Sequence, residues 1–336
     1  MGSRRAFVLV LLVVLACVTT VAGVEAWRAL TPTAAVAAGP RVVDIPAQQG
    51  VLGIARRLRD AEVIPSAQAF VALGVVRGTA RSLRAGEYEF PPGTTTVSAL
   101  RMLESGKVRL HPVLHPEGAT MAELARTIDR QGLGSAGAVL RAASDAAFLR
   151  SVGIEARSLE GYVFPDTYYF TRGLSAEQIL ARTVQRLHAK LTPEMLARAR
   201  QRGLDVHRLL TLASIIEREA VVHDERRLIS AVFWNRLQLG MPLQADPTVQ
   251  YAVGKERRAL TRADLASEDP FNTYTHTGLP PGPIASPGLA AIEAALDPAP
   301  VPYLYFVASD DHRHRFSTTV AEHNLAVARY RLARPR

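Results

Sequence analysis

The sequence predicts an α+β protein with an N-terminal transmembrane helix, a small α+β module and a mainly helical region that contains a few strands. Three observations predict this class: an uncharged apolar run near the N-terminus, short alternating segments before residue 110, and helical periodicity from Ala176 onward. Hydrophobic residues occupy 48% of the 336 positions, which is typical of a packed protein and argues against extensive disorder. This length is sufficient for two domains.

The apolar run covers residues 6–24 and carries no charge. Its 19 residues are close to the ~20 that a helix needs to cross a bilayer. Arg4 and Arg5 precede it, so the positive-inside bias predicts a cytoplasmic N-terminus with the bulk of the chain on the other side. A cleaved signal peptide fits less well, because no convincing small-residue cleavage site ends the run. The predicted boundaries are residues 1–5 for the cytoplasmic end, 6–26 for the helix and 27–40 for a linker.

The net charge of +9 comes almost entirely from arginine, since lysine occurs only at Lys107, Lys190 and Lys255. The arginines are spread along the chain, whereas a nucleic-acid-binding protein concentrates its basic residues on one face. We therefore expect no nucleic-acid partner. The single cysteine, Cys17, lies in the apolar run, so the rest of the chain has no disulfides and no thiol chemistry. A lipoprotein signal can also be read around Cys17, which leaves its lipidation open.

Residues 41–108 read as a small α+β module. The predicted elements are a strand at RVVDIP, helices at GVLGIARRLRDAEVI and SAQAFVALGVVRG, a strand at LRAGEYEF, and a helix at TVSALRMLESGK that Gly106 closes.

Residues 109–336 read as a second domain in which helices dominate. The predicted elements are a strand at RLHPVLHP, helices at TMAELARTIDRQ and AGAVLRAAS, an aromatic segment at LEGYVFPDTYYF, helices from Ala176 onward, a Pro/Gly-rich loop, a strand at YLYFVAS and a terminal helix at TVAEHNLAVARYRL.

Two motifs that could indicate a cofactor or a metal have simpler structural explanations. GLGSAG, residues 132–137, has the dinucleotide-binding spacing, but a helix precedes it where that motif requires a strand. We therefore read it as a helix–helix turn. His312 and His314 lie two residues apart, but no third ligand has a compelling spacing. We expect neither a cofactor nor a metal.

The segment LASIIEREA places a carboxyl group on a helical face that should be buried. Asp205 can cap the start of this helix. With Val206 set at 0°, an apolar stripe spans roughly 280° to 40°, and Glu217 falls inside it at roughly 20°. The stripe contains Leu209, Leu210, Ala213, Ile216 and Ala220. Glu219 points about 200° away from Glu217. Burial disfavours the charged form of a carboxyl group, so Glu217 is either a general acid or the partner of a buried arginine.

Further polar residues follow in three segments. In VFWNRLQLG, Asn235 falls among apolar residues, where its amide either faces a ligand or is satisfied by backbone. In LQADPTVQY, Asp246 is a good N-cap and Pro247 a good first helical residue. Three other side chains of that segment are then free to face a cleft: Gln244, Thr248 and Tyr251. Residues 272–288 are too rich in proline and glycine for regular structure, and form either a binding wall or a rigid connector.

These segments, in this order, resemble the endolytic murein transglycosylases, the YceG-like family of membrane-anchored peptidoglycan lyases. The matching segments are LASIIEREA, VFWNRLQLGMPLQADPTVQYAVG, NTYTHTGLPPGPIASPG and PYLYFVA, with LRAGEYEF and LEGYVFPDTYYF nearer the N-terminus. The resemblance covers nearly everything after the apolar run. It is weakest in the linker and between about residues 130 and 155.

The resemblance implies a LysM-like module over residues 41–108 and a lytic-transglycosylase-like catalytic domain over 109–336, with its core at 156–336. It implies cleavage of the MurNAc–GlcNAc β-1,4 bond inside nascent glycan strands, leaving 1,6-anhydro-MurNAc ends. The family's essential glutamate matches Glu217, which would act as general acid and then as base toward the C6 hydroxyl of the same sugar. We expect six residues to bind the saccharide: Asn235, Gln244, Thr248, Tyr251, Asn272 and Tyr274.

The resemblance also implies location and partners. We expect a single-pass protein of the cell inner membrane with its bulk in the periplasm, acting on peptidoglycan glycan strands, with cell-wall synthases as suggested partners. Two alternatives stay open. One is a membrane-anchored glycan-binding scaffold in which Glu217 is structural. The other is a hydrolase, whose product has a reducing MurNAc end.

Overall fold

A computed structural model describes residues 2–33, 35, 38–255, 257–309 and 313–333. The chain forms two units. The first comprises Met1–His111 and Thr171–Gly173, and the second comprises Pro112–Phe170 and Leu174–Arg336. The division falls at His111, close to the boundary expected after residue 108.

Helix α1 covers Gly2–Leu30. Its Ala6–Leu30 segment is long and apolar enough to cross a membrane, and none of it is buried within the protein. The predicted apolar helix is therefore confirmed. It continues past the predicted end at residue 26, because residues 27–30 keep helical geometry, and the segment that connects it to the first strand is correspondingly shorter.

The first unit packs helices around a two-stranded sheet. Its elements are β1 (Arg41–Ile45), α2 (Val51–Asp60), α3 (Ala67–Val76), β2 (Gly86–Phe90) and α4 (Thr96–Ser105). Strands β1 and β2 are antiparallel, with Val43 opposite Tyr88. The core contains Ile45, Leu58, Phe70, Tyr88, Phe90, Leu100 and Leu103. Gly106 ends α4 at a φ of 66°, as the sequence predicts. The LysM-like character of this unit remains a prediction.

The second unit is mainly helical. Its elements are β3 (His111–His115, whose first residue belongs to the first unit), α5 (Met121–Arg130), α6 (Ala136–Ala143), α7 (Ala146–Ser151), β4 (Asp166–Phe170), α8 (Ala176–Lys190), α9 (Pro193–Gln201), α10 (Val206–Glu219), α11 (Arg226–Gln238), α12 (Asp246–Ala252), α13 (Arg262–Leu265), α14 (Leu289–Leu296), β5 (Tyr305–Ala308), β6 (His314–Ser317) and α15 (Val320–Ala333). Strand β3 pairs with β4, and β5 pairs with β6 in an antiparallel hairpin. The described parts of the chain are thus helix-rich with few strands, as predicted.

Local signals explain where several of these helices begin and end. Thr120 and Glu123 form a capping box at the start of α5. Gly132, at a φ of 66°, lies between α5 and α6, so GLGSAG is the predicted helix–helix turn. Asp205 accepts a hydrogen bond from the Arg208 backbone N–H at 2.7 Å and caps α10.

Helix α10 is the central helix of the second unit and packs against α11, α12 and α14. Its residues from Leu209 through Glu217 are all buried, and only Arg218 and Glu219 at its C-terminal end reach partial exposure. The apolar stripe therefore ends next to three charged side chains, of which Glu217 is buried and Arg218 and Glu219 are partly exposed.

The Pro/Gly-rich segment before α14 is held to the core by specific bonds. Ser214 Oγ accepts a hydrogen bond from the Ile284 backbone N–H at 3.1 Å. Ser286 exchanges backbone hydrogen bonds with the loop after β3, and its hydroxyl lies 2.8 Å from Nε2 of the buried His115. Burial lowers the pKa of His115 to about 4. Of the two expectations for this segment, these bonds support the rigid connector.

The same proline-rich segment also fits tightly against the turn before β4. Gly161 has a φ of 78°, and a Cβ at this position would lie 2.2 Å from Pro283 Cβ. Glycine is therefore required there both for its backbone conformation and for the close approach.

Candidate active site

A groove of about 420 Å³ opens at the C-terminal end of α10, and we call it the carboxylate groove. All three charged residues at the end of α10 line it, together with side chains from the loop after β3 and from the start of α12. The lining residues are Glu117, Gly118, Glu217, Arg218, Glu219, Val221, Asp246, Pro247, Gln250, Arg257 and His314. A larger cavity of about 990 Å³, which we call the Phe271 cavity, lies elsewhere in the second unit, and its lining includes neither Glu217 nor Glu219.

Glu217 is fixed at the back of the groove. One carboxylate oxygen, Oε1, accepts a hydrogen bond from Arg226 Nη2 at 2.9 Å, and Oε2 accepts one from the Gly288 backbone N–H at 3.0 Å. The side chains of Glu217 and Arg226 are only 5% and 8% exposed. Each oxygen of Glu217 thus faces an N–H donor, and one of the two donors is a cation. The predicted burial is confirmed, and the geometry supports the buried-arginine alternative.

Arg226 joins Glu217 to neighbouring groups. Its Nη1 donates to His223 Nδ1 at 2.6 Å, and its Nη2 lies 3.8 Å from Glu117 Oε2. The guanidinium thus ties the end of α10 to the short 3₁₀ turn at His223–Glu225 and to the loop after β3. Glu217 therefore holds elements of the groove in position, and its role as general acid stays a prediction.

Glu219, the last residue of α10, has the properties expected of an acid. Its side chain is half-buried and lines the groove. Burial raises the pKa of Glu219 to about 8, with a further rise from the negative charge of Asp246 and an opposing effect of Arg218 and Arg236. At neutral pH the carboxyl group is therefore mostly protonated. Such a group can donate a proton to a ligand in the groove.

The helical wheel places Glu219 about 200° from Glu217, yet both residues line the groove. Both side chains can reach the groove because α10 ends at this point. The chain leaves α10 at Ala220, whose ψ is 113°, so the groove curves around the helix terminus instead of following one face.

Asp246 provides a third carboxylate in the groove, and its role differs from the one expected. The residue is the first of α12, Ala245 occupies the N-cap position, and no side-chain capping bond forms. The Asp246 carboxylate instead accepts a hydrogen bond from the Tyr274 hydroxyl at 2.6 Å. Burial is the main cause that raises the pKa of Tyr274, and this hydrogen bond raises it further. The N-cap expectation was wrong because a tertiary partner occupies the side chain.

Comparison with known proteins then decides the family. Residues 43–329 of the chain match the YceG-like family. The chain belongs to the YceG-like family.

Two relatives and one solved structure agree with this assignment and confirm the resemblance seen in the motifs. An endolytic murein transglycosylase of Bacillus subtilis (strain 168) is 34% identical over 304 residues, covering 86% of this chain and 84% of the relative. One of Streptococcus pneumoniae serotype 2 is 32% identical over 258 residues, covering 67% of this chain but only 46% of the relative. The crystal structure of a YceG-like protein from Listeria monocytogenes has a TM-score of 0.61 at 34% identity, covering 86% of this chain and 99% of that one.

In this YceG-like protein, three of the six residues expected to bind saccharide donate side-chain hydrogen bonds to backbone carbonyls. Asn235 Nδ2 donates to the carbonyls of Val301 and Tyr303 at 3.0 and 2.8 Å. Thr248 is fully buried, donates to Ala245 O at 2.7 Å and bonds the Thr273 hydroxyl. Asn272 is also fully buried and donates to Leu265 O and Ser267 O at 3.1 and 2.7 Å. These three side chains hold loops in place through backbone or hydroxyl partners, and their binding of saccharide stays a prediction.

The other three residues lie in different places. Gln244 is exposed at a φ of 50°, and its Oε1 accepts from Arg236 Nη1 at 3.3 Å. Tyr274 reaches the groove through its bond to Asp246. Tyr251 lines the Phe271 cavity, with its ring centroid 5.0 Å from that of Phe271. Tyr274 thus contacts Asp246, which lines the carboxylate groove, while Gln244 contacts Arg236, whose charge acts on Glu219.

His314, one of the two histidines considered as metal ligands, is engaged with a carboxylate. Its Nδ1 lies 2.7 Å from Glu225 Oε2. Its former candidate partner, His312, lies outside the described residues. Within the described part of the chain, no three histidine, cysteine, aspartate or glutamate side chains come together as metal ligands.

Sequence reasoning did not single out several residues that line the groove. Glu117 and Gly118 follow strand β3, and a polar loop residue directly after a strand is a weak signal of function. Arg257 carries no signal, since it is one arginine among many. These YceG-like groove residues become visible only when the tertiary structure brings the loop after β3 beside the ends of α10 and α12.

Proposed function

We propose that this YceG-like protein is an endolytic murein transglycosylase that cleaves the MurNAc–GlcNAc β-1,4 bond within glycan strands and leaves 1,6-anhydro-MurNAc ends. The observation that carries the proposal is the carboxylate groove at the end of α10, which Glu217 and Glu219 line, with the pKa of Glu219 raised by burial to about 8. The named activity of the relatives supports the substrate class. We propose Glu219 as the acid because it lines the groove with a raised pKa, and Glu217, the residue that the family resemblance implies, stays the alternative.

The chemistry follows from one acid that works twice. The Glu219 carboxyl group donates its proton to the glycosidic oxygen while the bond from that oxygen to C1 of MurNAc breaks and its electrons stay on the oxygen. The Glu219 carboxylate then takes the proton of the C6 hydroxyl of the same sugar as O6 bonds to C1. Tethering of the hydroxyl to the reacting sugar supplies the advantage of an intramolecular nucleophile. The acid is thereby reprotonated and no water is consumed.

The neighbouring groups support these two roles. A pKa of about 8 keeps the proton available at neutral pH and also makes the carboxylate a competent base. Asp246 contributes to this pKa by its charge, and Tyr274 fixes Asp246 in position through their 2.6 Å hydrogen bond. Glu217, held by Arg226 and Gly288, fixes the end of α10 on which Glu219 lies.

A hydrolase is the second candidate, and the presence of Asp246 in the same groove as Glu219 favours it. Inverting and retaining glycosidases use two carboxyl groups, one as acid and the other as base or nucleophile. Asp246 could take the second role if its bond to Tyr274 were exchanged for one to water or sugar.

Product analysis separates the candidates. Purified protein incubated with uncrosslinked murein glycan is expected to release fragments that end in 1,6-anhydro-MurNAc, as read by mass spectrometry. A reducing MurNAc end is 18 Da heavier, by about the mass of one water, because hydrolysis adds water to the cleaved bond. Reducing ends in place of anhydro ends would establish the hydrolase, and unchanged strands would favour the glycan-binding scaffold.

The pH dependence should report on Asp246. Glu219 must be protonated to start the reaction, so kcat/KM is expected to fall as the pH rises through about 8. In Asp246→Asn the charge that helps to raise the pKa of Glu219 is removed, so the fall should begin at lower pH. A matched profile of Asp269→Asn, which changes a carboxylate of the Phe271 cavity, should overlay the parent profile. An alkaline limb that stays in place in Asp246→Asn would rule out this coupling.

We further propose that helix α1 anchors the protein in the cell inner membrane, with residues 1–5 in the cytoplasm and residues 41–336 in the periplasm. The apolar Ala6–Leu30 segment and the preceding arginines support this orientation. On this proposal residues 41–108 form a LysM-like module that holds glycan near the membrane, residues 109–336 form the catalytic domain, and cell-wall synthases are partners.

A further inference from the structure

His314 lines the carboxylate groove, yet the proposed chemistry does not use it. The residue begins strand β6, and its side chain is only 9% exposed. Two contacts fix it to Glu225: the backbone N–H of His314 donates to Oε1 at 2.9 Å, and its ring Nδ1 lies 2.7 Å from Oε2. A single carboxylate therefore holds both the start of the strand and the imidazole ring.

Aromatic rings pack against the same imidazole. The ring centroid of Phe306 lies 5.3 Å from that of His314, with the planes 85° apart, and the centroid of Phe316 lies 6.3 Å away. Such edge-on contacts are a preferred arrangement of aromatic rings. Because the ring is bonded to Glu225 and packed against these two residues, it keeps one orientation in the groove.

The segment that holds His314 also holds the buried carboxyl group of the groove. Glu225 ends the 3₁₀ turn and bonds His314, and the next residue, Arg226, donates to Glu217 at 2.9 Å. Both His314 and Glu217 line the groove. Two consecutive residues thus position two groove side chains, so His314 is placed together with the groove and not with the β5–β6 hairpin alone.

The partner of Nδ1 determines what the other ring nitrogen can do. A carboxylate oxygen only accepts, so in the uncharged ring Nδ1 carries the hydrogen and Nε2 is an acceptor. Nε2 has no hydrogen-bond partner within the described ranges, which omit residues 310–312. A buried acceptor loses free energy if a ligand covers it without donating a hydrogen bond. A sugar hydroxyl suits this acceptor, because it rotates its hydrogen toward a lone pair.

We propose that His314 is a glycan-binding residue, whose Nε2 accepts a hydrogen bond from a ring hydroxyl of the strand in the carboxylate groove, and that Glu225 is the positioning residue that sets its tautomer. The inference rests on the proposed function for its ligand, a murein glycan. It gives the groove an acceptor of fixed direction in addition to its carboxyl groups. The competing explanation is purely structural: His314 would only fasten β6 to the 3₁₀ turn.

Two substitutions of His314 separate these explanations. Asparagine has an amide N–H at the same number of bonds from Cα as Nδ1, so His314→Asn can keep the bond to Glu225 but lacks Nε2. Glutamine has its amide at the same number of bonds as Nε2, so His314→Gln gives up the bond to Glu225 but still offers an acceptor to the groove. The two variants therefore lose opposite halves of the imidazole.

The dissociation constant for peptide-free murein strands is measured without cleavage, in Glu219→Gln, or in Glu217→Gln if that residue proves to be the acid. Adding His314→Asn is expected to weaken binding about ten-fold, the effect of losing one hydrogen bond, and adding His314→Gln at most about three-fold. The matched control is His188→Asn, which changes an exposed histidine of α8 outside the groove lining and should bind as the background does.

A structural role predicts the opposite order, because His314→Asn keeps the bond to Glu225. Weaker binding and a lower melting temperature in His314→Gln than in His314→Asn would therefore overturn the inference, and so would unchanged binding in both variants. If the background binds no murein strand at all, the inference fails together with its ligand class. Unchanged binding in His314→Asn contradicts the inference alone, and the ends of the cleavage products play no part in either result.

The role of Glu225 has a separate test. The amide of Glu225→Gln both donates and accepts, so the ring hydrogen is no longer confined to Nδ1 and Nε2 ceases to be a fixed acceptor. We expect binding to weaken about three-fold in the background but to stay unchanged when His314→Asn is already present, since Nε2 is then absent. Equal losses with and without His314→Asn would overturn the positioning role.

Discussion

Replacing Glu219 with glutamine is expected to lower kcat for glycan cleavage by a factor of about 10² to 10⁴, the usual contribution of a general acid–base residue. Glutamine keeps the shape of the side chain but cannot donate the proton that the leaving oxygen requires. The measurement is the rate of release of anhydro-ended fragments from uncrosslinked glycan. Glu155→Gln, which changes an exposed carboxyl group in the Phe271 cavity, is the matched control and should stay within two-fold of the parent.

Stability distinguishes loss of chemistry from loss of fold. The folded-state pKa of Glu219 is about 8, above the ~4.3 of a free glutamate. Folding therefore favours the protonated form, and the resulting stabilisation is present at low pH and is lost as the pH rises toward 8. At pH 8 the melting temperature of Glu219→Gln should equal or exceed that of the parent. Near-parental activity in Glu219→Gln, together with inactivity in a well-folded Glu217→Gln, would return the catalytic role to Glu217.

Removing the guanidinium that faces Glu217 should produce the largest loss of stability. Arg226→Met leaves a carboxylate buried with only the Gly288 amide as partner, and we expect the free energy of unfolding to fall by about 3–5 kcal/mol. Adding Glu217→Gln should recover most of this loss, because the amide can still accept from Gly288 and no unpaired charge remains. Chemical denaturation of both variants and of the parent measures the difference.

Arg227, the residue next to Arg226, supplies the control for these two variants. Arg227 pairs with Asp297 at 2.9 Å, but these side chains are 56% and 53% exposed. Exposed ion pairs contribute about 0–1 kcal/mol, so Arg227→Met should have little effect. If Arg226→Met were no more costly than Arg227→Met, or if the double variant were as unstable as the single one, the structural role assigned to the Glu217–Arg226 pair would be wrong.

The parts of this protein that could be predicted from the sequence depend on neighbours along the chain. Asp205 caps α10 and Gly106 ends α4, because capping uses groups three or four residues away. The burial of Glu217 follows from the 3.6-residue period. Its partner does not follow, since Arg226 lies on the next helix and meets Glu217 only after the chain has turned at His223–Glu225.

The place of Glu219 in the groove could not be predicted from helical periodicity. A helical wheel places Glu219 on the far side, but the wheel describes a continuing helix and α10 ends at that residue. The N-cap preference explained Asp246 without need of a function, whereas Tyr274 engages it from another loop. Asn235, Thr248 and Asn272 show that a polar residue among apolar ones can be recognised in a sequence. Whether its hydrogen-bond partner is the backbone or a ligand cannot be recognised in the sequence.

His115, the buried histidine that contacts the proline-rich segment, has a consequence for every pH titration of this enzyme. With a pKa of about 4, His115 remains an uncharged ring throughout the range of ordinary buffers, and so its contact with Ser286 does not switch when the buffer does. The contact between β3 and the proline-rich segment therefore does not change with acidity. A change of rate with pH should be attributed first to the reacting groups and only then to the surrounding fold.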